Sequence, residues 1–265
     1  MLQVRRFDPD FSDLPRHWYA GDVVLTHSVN ALNLIFPDGE RFFVRSVKHF
    51  APRLTDPKLK QDVKDFMGQE AQHGHAHSQQ FEVLEAQGYV VRDWLERYKH
   101  VAYKRIEPLT PWRWRLATTV ALEHLTASFA TFALEERFLD EAHPAMRDLL
   151  LWHAAEELEH RAVAFEVHRA VGGGYVERVI GMAIALTVLA VFWSSATRHL
   201  LRQEPELDRE TVRASKRRLA AQGRSRWSLL TRSIGPYLRP GFHPEHAHDG
   251  APATAYLASV GRLGG

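Results

Sequence analysis

Two Glu-x-x-His motifs interrupt apolar helical stripes, and they constrain the fold more than any other feature of the chain. The first, Glu70-Ala-Gln-His73, lies within a stripe of apolar residues at helical spacing over residues 63–84. The second, Glu157-Leu-Glu-His160, lies within a similar stripe over residues 146–167. Because residues i and i+3 share one face of a helix, each motif places a carboxylate and an imidazole on the face that the helix must bury.

Two other helical segments each carry one acid on an apolar face. Glu123 lies among Leu116, Val120 and Ala127 at helical spacing, and Glu40 leads an apolar face that continues over residues 43–47. A buried carboxylate without a partner would cost several kcal/mol. Lysine and arginine are scarce on these faces, so the pattern predicts metal ions as the countercharge. A bundle core with buried polar groups and salt bridges is the alternative interpretation.

The chemistry of these residues predicts a dinuclear centre. One Glu from each of two helices and a Glu-x-x-His from each of two others form the ligand set of di-iron and di-manganese bundles. Carboxylates and imidazoles suit iron or manganese, and a chain without cysteine has no thiolate for a zinc site or an Fe–S cluster. We therefore expect two Fe ions, with Mn or a mixed Fe/Mn pair as alternatives. The ligands predicted from this pattern are Glu40, Glu70, His73, Glu123, Glu157 and His160.

The predicted fold class is all-α, a ferritin-like four-helix bundle with additional C-terminal helices. A chain of 265 residues is long enough for such a core with appendages, and no run alternates in the way that a strand requires. The predicted segments are an N-terminal arm over 1–22, the four-helix metal-binding core over 23–174, an apolar helix and a basic helix packed on the core over 175–235, and an irregular tail over 236–265.

Proline and glycine set the predicted bounds of the helices. Pro37-Asp38-Gly39 predicts a break in the first helix, whereas Asp56-Pro57 predicts the start of the second. Pro111 and Pro144 open the third and fourth. The predicted helices are 23–36, continued after the break to Phe50, then 55–88, 111–139, 144–171, a fifth from Tyr175 and a polar sixth over 207–222.

Three runs carry a resemblance to known families: FPDGERFFVRSVKHF from Phe36, QEAQHGHAH from Gln69, and HAAEELEHRAVAFEV from His153. They resemble the bacterial family described as predicted metal-dependent hydrolases, and this resemblance covers most of the chain, including RPGFHP near its C-terminus. More remotely, the four core helices are similar to the ferritin-like arylamine N-oxygenases, which have a di-iron centre. The second resemblance implies a seventh ligand, His153, four residues before Glu157. A core histidine bonded to a backbone carbonyl is the alternative interpretation of His153.

Other polar residues near the motifs are assigned to supporting positions. His77 lies one turn beyond His73 on the same stripe, and we expect it to support a ligand from behind, with direct ligation as the alternative. The residues expected to be solvated or hydrogen-bonded on other faces are His75, His124, Glu156 and Glu159.

Residues 179–197 contain no charged side chain, and Arg198 and Arg202 follow them. The stretch is close to the ~20 residues that span a bilayer. One interpretation is a helix buried against the bundle or in a homodimer interface. The other is contact with an anionic membrane surface, which would imply a lipid-like substrate.

We expect an O2-activating oxidase or oxygenase that acts on an apolar or amine-bearing small molecule, with O2 and an external electron donor as partners. The alternative is a metal-dependent hydrolase with a dinuclear site, as the first resemblance implies, and the third is an iron-binding or storage protein. A net charge of +2 gives no basis for nucleic-acid binding. No apolar stretch follows Arg5-Arg6, so we predict no secretory signal and a cytoplasmic location, with membrane association as the alternative.

Overall fold

The structure is a computed structural model that describes residues 2–205, 207–221 and 226–261. Within these ranges the chain is helical and contains no strand, which confirms the all-α prediction. The helices are α1 (Val23–Phe50), α2 (Pro57–Ala86), α3 (Arg92–Lys99), α4 (Trp112–Glu135), α5 (Pro144–His160), α6 (Val163–Ala170), α7 (Tyr175–Leu201), α8 (Arg209–Ala221), α9 (Arg226–Tyr237), α10 (Pro244–Ala247) and α11 (Ala251–Ser259).

Four long helices surround the motifs found in the sequence. Helices α1, α2, α5 and α4 contact one another in that cyclic order, the neighbour arrangement expected of a four-helix bundle. Asp22 caps α1 by accepting a hydrogen bond from the backbone N–H of Leu25, and Asp56 caps α2 by accepting one from Lys58. Such caps satisfy N–H groups that have no partner within the helix, so these starts are fixed locally by the sequence.

The predicted break at Pro37 is wrong, because α1 continues through it as one helix. A proline removes a single helical hydrogen bond and favours a break. Here tertiary packing outweighs that local preference. Leu34 and Val47, on either side of Pro37, are fully buried, and a Cβ added at Gly74 of α2 would lie only 3.6 Å from the Pro37 Cα. The glycine allows α2 to approach α1 at the level of Glu40.

Two other segments differ from the predicted helices. The fourth predicted helix, 144–171, is divided between α5 and α6 by a turn at Arg161 and Ala162, directly after His160. The segment before α4 is also helical: α3 is followed by a wide helical turn over His100–Ile106 and a tight one over Glu107–Leu109. The pattern gave no prediction for this segment, which closes one side of a cavity described below.

Helix α7 packs against α1 and α4. A Cβ at Gly181 would lie 2.3 Å from the backbone oxygen of Ala117, so the two helices approach closely there. In the part of the chain that the structure describes, α7 is the one helix long and apolar enough to cross a bilayer, although core helices pass the same test. About 39% of its most apolar window is buried inside the protein, while Val176 and Val191 on its outer face are exposed.

The tail predicted to be irregular is irregular only in part, since α10 and α11 lie within it. Helix α11 packs on α4 and α5, with Leu257 fully buried. His124 of α4 bonds to the backbone oxygen of Ser233 (2.8 Å) and to His248 (3.0 Å). The prediction missed these helices because they are too short to show a helical period. The apolar residues of α11 are buried only by contact with α4 and α5, which the local sequence does not reveal.

We expect Gly181→Ala to destabilise the fold by about 1–3 kcal/mol, because the new Cβ would meet the backbone of Ala117 and force α7 away from α4. The matched control is Gly39→Ala, which adds a methyl group within α1 where nothing lies within 4 Å. Its expected effect is a gain of about 0.5–1 kcal/mol, since alanine is the better helix former. Urea unfolding at equal metal content measures both, and equal effects of the two changes would contradict the close α4–α7 contact.

Candidate metal centre

All seven predicted ligands converge in the space between α1, α2, α4 and α5. None of these residues is more than 5% exposed. Helix α1 contributes Glu40 and α4 contributes Glu123, while α2 and α5 contribute the two Glu-x-x-His motifs and His153. The residues are Glu40, Glu70, His73, Glu123, His153, Glu157 and His160.

One half of the cluster is centred on His160. Its Nε2 lies 3.4 Å from Glu70 Oε1 and 3.3 Å from Glu123 Oε2. Glu70, Glu123 and His160 each offer one atom within 4.8 Å of the others, so a single ion could contact all three residues. The three side chains come from three different helices, and the bundle alone brings them together.

The other half contains His73, His153 and Glu40, which form a second group of the same kind. His153 Nε2 lies 2.8 Å from Glu157 Oε1 and 4.0 Å from Glu40 Oε1. Glu157 Oε1 also lies 3.8 Å from His73 Nδ1 and 3.5 Å from His160 Nε2. Glu157 is therefore adjacent to all three histidines and lies between the two halves.

Many polar atoms that face this space have no hydrogen-bond partner among the described residues. They include both carboxylate oxygens of Glu40, Glu70 and Glu123, together with His73 Nδ1 and His160 Nε2. Buried polar groups are nearly always paired, and unpaired buried carboxylates are costly. These oxygens and nitrogens are the atoms that bind iron or manganese, so the residues present fit a metal centre.

Hydrogen bonds behind the histidines fix which ring nitrogen faces the cluster. Glu156 Oε2 lies 3.0 Å from His73 Nε2, so that nitrogen carries the proton and His73 Nδ1 is left to bind. Gln69 Oε1 lies 3.1 Å from His160 Nδ1, so His160 Nε2 is left in the same way. Such outer partners orient metal ligands and raise their basicity.

The N-terminal arm completes this outer layer through Arg5, which is only 8% exposed. Its guanidinium donates to Glu156 at 3.0 Å and to Glu159 at 2.6 and 2.9 Å. Glu159 in turn accepts a hydrogen bond from the Gln69 amide at 3.0 Å. The arm thus supports, through two separate chains of contacts, the orientation of both motif histidines.

The four residues expected to be solvated or hydrogen-bonded on other faces have such surroundings. His75 is exposed, Glu159 and His124 are hydrogen-bonded away from the cluster, and Glu156 bonds to the outer nitrogen of His73. Glu156 is fully buried, as are Trp152 and Leu158 near it in the sequence. Those apolar neighbours were the one feature of the sequence that could have indicated a buried, supporting Glu156. The pattern missed Arg5, because its partner Glu156 is 151 residues away.

His77 lies behind His153 rather than among the unpaired oxygens. Its Nε2 is 2.5 Å from His153 Nδ1. The ring of Phe36 packs against both imidazoles, with centroid distances of 5.1 Å to His77 and 5.0 Å to His153. These contacts are those expected of a side chain that orients His153, and the role itself stays a prediction.

The electrostatics of the cluster follow from burial and crowding. Burial, together with the other carboxylates, raises the pKa of Glu40 and of Glu70 well above the usual range. Burial also raises the pKa of Glu123 to about 7. For Glu157 burial acts in the same direction, but the adjacent His160 and His153 hold its pKa well below the usual value. Without a metal ion, part of the carboxylate set therefore retains its protons near neutral pH.

Two cavities meet at this cluster. The first, which we name the inner cavity, has a volume of about 120 Å³ and reaches Glu40, His153 and Glu157 from the side of α3 and α7. The second, which we name the channel, has a volume of about 670 Å³ and runs between α1, α4, α5, α7 and α8 to His153 and Glu157. Both cavities share Leu32, Phe36, Thr126 and Phe129 at their junction.

Comparison with known families gives one match. The profile of the family described as predicted metal-dependent hydrolase matches residues 3–248, which includes all the residues of the cluster and the arm that supports it. Comparison with curated proteins and comparison with solved structures both give no match. The buried Glu and His groups therefore agree with a metal-dependent family, whose description does not name the ion.

We expect Glu156→Gln to weaken metal binding about 10–100-fold, because a neutral amide holds the His73 imidazole less firmly than a carboxylate does. The matched control is Glu135→Gln, the same change at an exposed position of α4. Competition with a chelator measures the affinity of each variant. An unchanged affinity in Glu156→Gln would show that the contact with His73 has no part in holding metal.

The metal-free protein is expected to lose stability as the pH rises from about 4.5 to the raised pKa values of its core carboxyls, the one for Glu123 being about 7. The raised pKa values of Glu40, Glu70 and Glu123 mean that the folded state keeps protons that the unfolded state has already released, so the free energy of unfolding falls as the pH rises through them. The lowered pKa values of His73 and His77 act in the opposite sense, but only below about 6.5.

The metal-loaded protein should lack this loss, because bound ions stabilise the ionised carboxylates. Melting temperatures of both forms across the pH range measure the difference. Parallel curves for the two forms would contradict the assignment of these carboxylates to the metal centre.

Proposed function

The chain belongs to the family of predicted metal-dependent hydrolases, and from the metal dependence of that family we propose that its buried Glu and His cluster holds two metal ions. We further propose that these ions are Fe and that the protein activates O2 to oxidise a small apolar or amine-bearing molecule. The ligands would be the seven converging residues, with His77 orienting His153. The observation that carries the proposal is the set of unpaired, buried carboxylate oxygens beside two apolar cavities.

The walls of the cavities favour oxidation over hydrolysis. Hydrolysis needs water and polar groups placed to stabilise developing charge. Where the two cavities meet, Thr126 is the one polar side chain in the described part of the chain other than His153 and Glu157. Its hydroxyl already donates to Glu157. Mostly apolar walls beside the cluster suit a reaction in which a strong oxidant must be kept from water.

Each part of the cluster has a distinct task in this proposal. When bound, the iron pair would supply the redox chemistry that O2 requires. Glu156 and Gln69 hold His73 and His160 in fixed orientations. Glu40 and Glu123 have no hydrogen bond at either oxygen, so they can change how many oxygens they present and open space beside the cluster. Since the chain has no cysteine, electrons would come from an external donor.

A hydrolase with a dinuclear site is the second candidate, and the description of the family favours it. In that case the same residues would hold ions that polarise a scissile bond and lower the pKa of a bound water. The substrate would still have to enter through an apolar cavity, because both routes to His153 and Glu157 have apolar walls.

The test is elemental analysis of protein purified without oxygen from iron-supplemented cells, followed by the absorption spectrum when O2 is admitted. We expect about two Fe ions per chain and a transient visible band. Glu70→Ala should lose both, because it removes a buried carboxylate shared by two of the ligand groups. Glu70→Gln preserves the volume if the alanine variant fails to fold. The control His75→Ala, at an exposed position of α2, should keep both.

The other outcomes separate the candidates. Two Zn or Mn ions that do not react with O2, together with hydrolysis of ester or amide substrates, would contradict the oxidase proposal and favour the hydrolase. Protein that binds no metal under any loading condition would contradict both.

A further inference from the structure

The channel differs from the inner cavity in the chemistry of its two ends. Its buried end contacts His153 and Glu157, and its walls are mostly apolar, with Val29, Phe129 and Leu150 among them and a few hydroxyl side chains such as Ser28 and Thr197. At its solvent end lie three cationic side chains, Arg198, Arg202 and Lys216, all of them exposed. Within the described part of the chain, Glu157 is the one acid among the residues that line the channel.

The three cations share one place because of helix geometry. Arg202, the residue that ends α7 with helical backbone angles, lies four positions after Arg198 and therefore on the same face. Lys216 comes from α8, which lays Val212, Lys216 and Leu219 along the channel at helical spacing. None of the three is paired with a carboxylate in the ranges that the structure describes. Other basic residues of α8 are paired, since Arg218 binds Asp22 at 2.6 Å.

Helix α8 is anchored at the mouth of the channel. The hydroxyl of Ser215 lies 3.0 and 2.9 Å from the two carboxylate oxygens of Asp22, the residue that caps α1. The channel wall along α1 runs from Val24 near this anchor to Phe36 beside His153. At about 1.5 Å per residue this distance is roughly 18 Å. The channel is thus long enough to take an extended apolar chain.

We propose that the channel binds a single-chain amphiphile with an anionic head group, such as a long-chain carboxylate. The head group would lie among Arg198, Arg202 and Lys216, and the apolar chain would extend along the channel toward His153 and Glu157. A volume of about 670 Å³ is in the range of pockets that enclose a small molecule. Unpaired cations recognise carboxylate or phosphate, and they repel a cationic amphiphile. If the bound amphiphile is also the substrate, this inference rests on the proposed function. It then narrows the substrate class from apolar or amine-bearing molecules to anionic amphiphiles.

The test is calorimetric titration of the full-length, metal-loaded protein with single-chain amphiphiles below the concentration at which they form micelles. We expect dodecanoate to bind at one site and at least roughly tenfold more tightly than dodecanol or dodecyltrimethylammonium. Over the series from hexanoate to tetradecanoate, each added methylene should strengthen binding roughly two- to fourfold until the channel is full.

Matched variants locate the head group. Replacing Arg198, Arg202 and Lys216 together with Gln should weaken binding of dodecanoate at least roughly tenfold and leave binding of dodecanol unchanged. The control replaces Arg209, Arg213 and Arg217 with Gln, which removes the same charge from exposed positions of α8 that do not line the channel. An equal loss in both triple variants would overturn the assignment of the head group.

A second pair of variants locates the chain. Ser194→Trp places a large side chain in the channel and should abolish binding of both dodecanoate and dodecanol. Ala183→Trp, on the exposed face of the same helix, should leave both unchanged. If Ser194→Trp has no effect, or if dodecanoate does not bind at all, the inference is overturned. It is also overturned if the protein binds only vesicles of anionic phospholipid and no monomeric amphiphile.

Metal content and reaction with O2 are measured on the same samples. If the wild-type protein has an intact iron pair that reacts with O2 but does not bind dodecanoate, this inference is wrong and the proposed function stands. Binding of dodecanoate that depends on the three cations and on Ser194, in protein whose metal does not react with O2, would leave the binding site standing and contradict the oxidase.

Discussion

The rest of the structure depends on the burial of four carboxylates in the core of a helical bundle. The ion pairs that Glu40, Glu70, Glu123 and Glu157 make are with histidines alone in the described part of the chain, and three of the four acids keep both oxygens without a hydrogen bond. Burial of each unpaired carboxylate costs several kcal/mol, and the sum over three such groups is comparable to the whole free energy of unfolding of a domain. A bundle of this kind therefore needs either protons or metal ions in its core, and its folding is coupled to which of them it obtains.

The chain separates its charges by layer, and this separation explains the role of the N-terminal arm. The inner layer holds the carboxylates and imidazoles, and no lysine or arginine of the described residues is paired with them. One layer farther out, Arg5 binds Glu156 and Glu159, which hold His73 directly and His160 through Gln69. A cation at this distance compensates the outer acids and leaves the inner acids available for a metal ion. If Arg5 were adjacent to Glu70 or Glu123, it would compete with the metal.

The sequence predicts those features that depend on periodicity, and it misses those that depend on distant contacts. The all-α class, the starts of α1 and α2, and six of the seven converging residues followed from helical spacing and from the Asp56-Pro57 start signal, whereas His153 came from the resemblance to the N-oxygenases. The break at Pro37 was wrong because the local preference of proline is weaker than the packing of α1 against Gly74. The pairing of Arg5 with Glu156 had no local signal, and α11 is too short for a periodic pattern. The ligand assignments stay predictions, although the unpaired oxygens lie where those assignments require.

The apolar character of α7 has a physical source in the two cavities. A helix that only packs on a bundle needs one apolar stripe, with polar residues on the remaining faces. Helix α7 contacts more than the bundle: Val188 and Phe192 line the inner cavity, while Trp193 and Leu201 line the channel. Residues that face an apolar cavity are themselves mostly apolar, so the low polarity of α7 extends beyond the face that packs on the bundle, and the uncharged stretch ends at Arg198, where the channel reaches solvent. The uncharged stretch of α7, which resembles a membrane span, therefore also fits the wall of a binding site for an amphiphile. The cations that follow this stretch lie where the head group of the amphiphile would bind.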